Sequence, residues 1–139
     1  MSESFVTNHD IRMPDFLIDT DVLVDVSRGN VNAANFVDGL NGEIYIGRVS
    51  AMELIVGARD RRDQGVIEKF IALFEIKELS EPIGEQAYRA LKQYSKSHGL
   101  KIADALIAAT AKDHALELVS RNEKHFRPIK GLKFMKAKY

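Results

Sequence analysis

Three carboxylates occupy positions where solubility alone does not account for them. Asp19 ends the apolar run Phe16-Leu17-Ile18, so a strand buried on both faces stops abruptly at an acid. It reads either as the N-cap of a following helix or as a site residue, and Asp21 offers a second cap where one suffices. Glu53 stands three residues after Ser50, and Ser-x-x-Glu is the capping-box pattern, in which the glutamate accepts from the serine backbone N–H. Its neighbours Met52, Leu54, Ile55 and Val56 predict that much of this turn is covered. Asp104 is the sharpest signal. It lies in Ile102-Ala-Asp-Ala-Leu-Ile-Ala-Ala-Thr-Ala111, a helix otherwise apolar or small apart from Thr110, and a helix apolar all round is a buried one. A carboxylate there needs a partner or a metal, unless it faces solvent or pairs with Lys101. Its first-turn position near the positive end of the helix dipole favours the ionised form.

Placed at strand ends and helix starts, these three acids would converge on one rim of a parallel sheet. An oxygen-only ligand set suits a hard cation, Mg²⁺ or Mn²⁺, better than zinc. Such a cluster serves phosphoryl hydrolysis, the cation activating water and steadying the leaving oxygen. Three negative charges suffice for one divalent ion and are poor for two, so one firmly bound metal is expected. Other candidates weigh less. His98, His114 and His125 share no metal-binding spacing, and His125 reads as packing or a contact at the edge of a substrate. Gly57 reads as close helix packing, Phe70, Phe74, Tyr88 and Tyr94 as core or dimer surface, and Arg59, Arg61 and Arg62 as a solvated turn.

The elements that must position these residues are legible as short strands alternating with helices. Phe16–Ile18 is a strand, Asp19-Thr20-Asp21 starts a helix that Gly29 stops, and a second short helix runs from Asn32 to Gly39. Glu43–Gly47 reads as a strand, Ser50–Arg59 as a helix, and Ile67, Phe70, Ile71 and Phe74 as a helical stripe before a strand at Glu75–Leu79. A long helix runs from Pro82 to His98, another from Ile102 to Ala115, with strands at Leu116–Val119 and Lys133–Met135. That order implies an α/β fold, a three-layer α/β/α sandwich with a central parallel sheet, and ligands outside the carboxyl ends of its strands.

The 139 residues allow one domain, read as residues 14–139, with residues 1–13 a polar, unpatterned extension. The absence of cysteine excludes a disulfide scaffold, thiolate metal sites and a cysteine nucleophile, and is compatible with a cytoplasmic setting. No apolar run reaches the length of a membrane span and no signal-peptide pattern opens the chain. Twenty basic and twenty acidic residues cancel, but unevenly. Arg121 to Tyr139 carries seven basic residues against one acid, Glu123, leaving +6 there and −6 elsewhere. This segment is either a solvated tail or a rim facing an anion, nucleic acid being the natural polyanion.

Four blocks in order carry a resemblance: Leu17-Ile-Asp-Thr-Asp-Val-Leu23, Ser50-x-x-Glu53-Leu54-x-x-Gly57-Ala58, Ala103-Asp-Ala-Leu-Ile-Ala-Ala109, and Leu118-Val-Ser-Arg-Asn122 followed by His125-Phe126. In register they resemble the PIN-domain ribonucleases over Phe16 to Phe134, and within them the VapC toxins of bacterial and archaeal toxin–antitoxin pairs. The resemblance implies Mg²⁺- or Mn²⁺-dependent cleavage of RNA, a homodimer and inhibition by a small cognate antitoxin. It makes Asp19, Glu53 and Asp104 the acidic metal-binding residues, with Thr20 and Ser120 as polar support. Asn122 departs from it, since many members place an aspartate there; asparagine can ligate or position a water but brings no charge.

Two other functions remain open at this point. Asp19-Thr20-Asp21 also resembles the D-x-D nucleophile of haloacid-dehalogenase-type phosphatases, although no Gly-Asp-x-x-x-Asp pattern follows. A non-catalytic module could instead use the basic segment to hold RNA or a partner.

Overall fold

The computed structural model describes residues 15–139; the expected extension at residues 1–13 lies outside them. The elements are β1 (Phe16–Ile18), α1 (Thr20–Ser27), α2 (Val31–Asp38), β2 (Ile44–Gly47), α3 (Arg48–Val56), α4 (Arg61–Ile71), β3 (Glu75–Lys77), α5 (Glu81–His98), α6 (Ile102–Asp113), β4 (Glu117–Ser120), α7 (Glu123–Phe126) and β5 (Phe134–Lys136). All strand pairs are parallel and the sheet order is β3-β2-β1-β4-β5. The chain therefore winds outward from β1 in one direction through β2 and β3, then returns to the other side of β1 with β4. The reversal falls between β1 and β4, the crevice where ligands of doubly wound sheets bind.

Successive strand residues face opposite sides of a sheet, and the two apolar cores follow that period. Leu17 and Leu118 pack against α5 and α6 through Ile83, Ala87, Tyr94, Ala105, Ile107 and Ala108. Phe16, Ile18 and Val119 pack the other way against Val22, Leu23, Ala51 and Leu54, with Ile67, Phe70 and Phe74 half-buried behind them. The result is the expected sandwich of helices on both faces of a parallel sheet. The stripe of α4 is thus partly consumed by this chain's own core.

Two local readings change. The helix read as Ser50–Arg59 is α3, which starts at Arg48 behind the N-cap Gly47, so Ser50 lies inside its first turn, fully buried, and cannot cap it. The capping-box reading of Glu53 fails with it. Gly57 is the C-cap of α3 rather than a packing glycine inside it. By contrast, Gly99 closes α5 with a positive φ of 70°, a left-handed turn that glycine enters at little cost, and so aims the start of α6 back at the sheet edge.

Candidate active site

The parallel register that pairs Ile18 with Val119 brings the next residues, Asp19 and Ser120, side by side at the carboxyl ends of β1 and β4. Asp19 is the backbone N-cap of α1, yet its side chain makes no capping bond. It accepts instead from Ser120 Oγ at 2.7 Å and is only 6% exposed. The Asp21 carboxylate accepts from Val22 N at 2.7 Å and from Arg121 N at 3.0 Å, with Ser120 Oγ 3.4 Å away. Asn122 N donates to the same Ser120 Oγ at 2.9 Å. One buried hydroxyl thus ties the end of β4 to Asp19, the N-cap of α1, and to Asp21 in its first turn.

Glu53 stands at the rim. It is exposed, as are Met52 and Val56, so this turn is less covered than its composition suggests. Thr20 Oγ1 donates to Glu53 Oε1 at 2.6 Å and lies 2.9 Å from Ser50 Oγ, which clamps α1 to α3. Asp104 forms no ion pair with Lys101. Its Oδ2 accepts from Lys101 N at 3.2 Å, across the first turn of α6, and lies 3.0 Å from His125 Nδ1. Asn122 caps α7, its Oδ1 accepting from His125 N at 3.3 Å, while its Nδ2 lies 2.9 Å from His125 Nδ1. Sequence reasoning underrated Asp21 and His125. The Asp-x-Asp spacing was a usable signal for the first; nothing local marked the second.

Burial, then the neighbouring Asp21, push the Asp19 carboxyl up from the ordinary 3.8 to about 8, with Asp104 adding to the rise and the Ser120 hydrogen bond opposing it. Burial also raises Asp21, against the bonds it accepts from Arg121 and Val22. Among the described residues, no lysine or arginine side chain pairs with Asp19, Asp21, Glu53 or Asp104; the one basic group on the cluster is His125. Nor do three His, Asp or Glu side chains there stand as a ready-made ligand cage. Mg²⁺ does not need one, because it keeps several waters and is held by one or two carboxylates. Crowded acids without a protein cation to offset them, all offering oxygen, fit a hard divalent ion.

A parallel sheet wound in this order, with an acidic crevice at its reversal, is the arrangement of the PIN domain, whose family model matches residues 16–132, and the chain belongs to that family. Within it, the chain is 34% identical to Ribonuclease VapC10 of Mycobacterium tuberculosis over 122 residues, covering 84% of this chain and 90% of that protein. It is 35% identical to Ribonuclease VapC1 of Methanocaldococcus jannaschii over 124 residues, 84% of each chain. Among solved structures, a toxin–antitoxin complex from Klebsiella pneumoniae contains a chain that superposes with a TM-score of 0.72 at 30% identity, covering 85% of this chain and 95% of that one.

Proposed function

We propose that this protein is a metal-dependent endoribonuclease and the toxin of a toxin–antitoxin pair, with residues 14–139 as its functional unit, acting in the cytoplasm. The observation that carries the reading is the acidic cluster at the β1/β4 crevice, which no lysine or arginine side chain of the described residues neutralises, in a chain whose curated relatives are ribonucleases. Among the described residues no helix is long and apolar enough to cross a membrane.

Asp19 and Asp104, with Glu53 at the rim, would hold Mg²⁺ or Mn²⁺. When bound, such an ion screens the charge of the scissile phosphate and makes water a stronger nucleophile at neutral pH. The chain's own residues keep the acids in place. Ser120 fixes one oxygen of Asp19, Thr20 fixes Glu53, and Lys101 N with His125 fixes Asp104. Asn122 in turn holds His125 by capping α7. Asp21 adds negative charge beside Asp19 and completes the set.

Among the described residues the histidines do not form an acid–base pair: His98 lies against Ser97 and Tyr94, His114 is exposed at the end of α6, and His125 is tied to Asp104. Water rather than the ribose 2′-hydroxyl is therefore the nucleophile, and the fragments carry 5′-phosphate and 3′-hydroxyl ends. Mapping the ends of a cleaved single-stranded RNA tests this. Cyclic 2′,3′-phosphate ends, or full activity in EDTA, would refute it.

The same unneutralised charge invites the antitoxin to lay an arginine or lysine over the acids. The protein acts as a homodimer. A phosphatase of the haloacid-dehalogenase type is not supported, since no lysine side chain pairs with Asp19 or Asp21 among the described residues.

A further inference from the structure

The basic segment from Arg121 to Tyr139 is not a solvated tail. It folds as α7 and β5 and closes one side of a groove of about 830 Å³ that Asp21 and Asp25 of α1 also line. β5 pairs Lys136 with Ser120, so this strand runs directly beside the acidic crevice. Side chains two apart in an extended segment share a face. Lys136 and Lys138 accordingly stand exposed on the groove while Ala137 between them is buried in the core. At the start of the same segment, Arg121 lays its guanidinium 5.3 Å from the centre of the Tyr139 ring.

Two of the three cations of this groove have a carboxylate partner, and Asp21 and Asp25 line it beside them. Asp25 Oδ2 lies 3.2 Å from Arg121 Nη1 and also accepts from the Tyr139 hydroxyl, so one carboxylate of α1 orients both side chains. Arg121 keeps further N–H donors and its side chain remains 55% exposed. Lys136 lies 3.6 Å from Glu123. Among the described residues no carboxylate reaches Lys138. A polyanion crossing the acidic crevice is repelled at its centre and needs fixed cations beside it, and Lys138 and the remaining donors of Arg121 are the ones this groove offers.

We propose that this groove is the docking track for the RNA strand flanking the scissile phosphate, with Lys138 and the Tyr139-backed Arg121 taking its phosphates. The inference rests on the nuclease reading and adds where the substrate lies. Exposed cations beside a crevice that acts on phosphodiesters favour an RNA backbone over an acidic peptide, which offers that crevice no bond to cut.

The test uses the full chain carrying Asp104→Asn to silence cleavage, and a fluorescein-labelled, mixed-sequence single-stranded oligoribonucleotide followed by anisotropy across a salt series. Each lost phosphate contact lowers the slope of log K against log salt by about 0.7, which at 0.1 M salt is about fivefold in affinity. Lys138→Gln and Arg121→Gln each show that loss, whereas Arg61→Gln, exposed at the start of α4, binds like the parent. A structural role alone would not move the slope, and thermal melting confirms that the variants fold. If the unmutated chain cleaves RNA while Lys138→Gln and Arg121→Gln match Arg61→Gln in affinity and slope, the track is overturned and the nuclease reading stands. If the Asp104→Asn parent does not bind RNA and the unmutated chain does not cleave it, both fall. Weakened capture of the antitoxin with RNA binding unchanged overturns the track in favour of a protein-binding groove.

Discussion

The most telling perturbation is Asp19→Asn, because Asp19 combines deep burial with a second acid close by. In metal-free protein its carboxyl holds a proton up to about pH 8, whereas in the unfolded chain it loses that proton near the ordinary 3.8. Between those values the native state binds more protons than the unfolded one, so the contribution of Asp19 to stability is full below about pH 4 and is lost as pH rises through 8. The limiting slope is about 1.4 kcal/mol per pH unit, so raising the pH from 5 to 8 removes at most about 4 kcal/mol. Asparagine is nearly isosteric, still accepts from Ser120 Oγ, and cannot ionise. Urea unfolding of both proteins in EDTA at several pH values isolates the effect, since all other titrating groups are shared. Wild type and Asp19→Asn should be similar at pH 5, and the variant should gain over wild type by roughly 2–4 kcal/mol at pH 8. Saturating Mg²⁺ should reverse the order at pH 8, because only the wild type offers an ionised ligand. A stability difference independent of pH in EDTA would refute the argument from burial.

Ser120→Ala removes the hydrogen bond to the buried Asp19 carboxyl and should cost about 1–3 kcal/mol in chemical denaturation; a loss below the error of that measurement would show the hydroxyl to be dispensable. Asn122→Asp keeps the α7 cap, since aspartate accepts from His125 N as asparagine does, so the melting temperature should stay within about 3 °C. The added charge should tighten Mn²⁺ binding roughly tenfold by calorimetry, and unchanged affinity would contradict the charge count. The homodimer should close over the apolar face where Met52 and Val56 of α3, 51% and 84% exposed, stand beside the half-buried Ile71 and Phe74. Sedimentation should show a dimer that Val56→Glu dissociates; a monomeric wild type would refute it.

Most of the strands and helices were legible in the sequence alone. Local periodicity marks a strand at Phe16–Ile18 and a buried helix around Asp104, because side-chain spacing reports burial directly. The four blocks were enough for the family, since they hold residue types in order along the chain. The partners of the acids were decided by tertiary structure. Asp19 meets Ser120 across 101 residues, and Asp104 meets His125 across 21, because β4 returns beside β1 and Gly99 turns α6 toward that edge. Asp19 and Glu53 both carry local capping signals that the fold leaves unused. A capping bond depends on where the helix begins and on what else the side chain can reach. α3 begins two residues before Ser50, and Asp19 turns to a hydroxyl from a neighbouring strand. The groove beside Asp21 belongs to the same category. Its lysines and Arg121 are plain in the sequence as charge, but only the parallel pairing of β4 with β5 sets them along one wall of the acidic crevice, because strand neighbours are chosen by long-range packing rather than by local pattern.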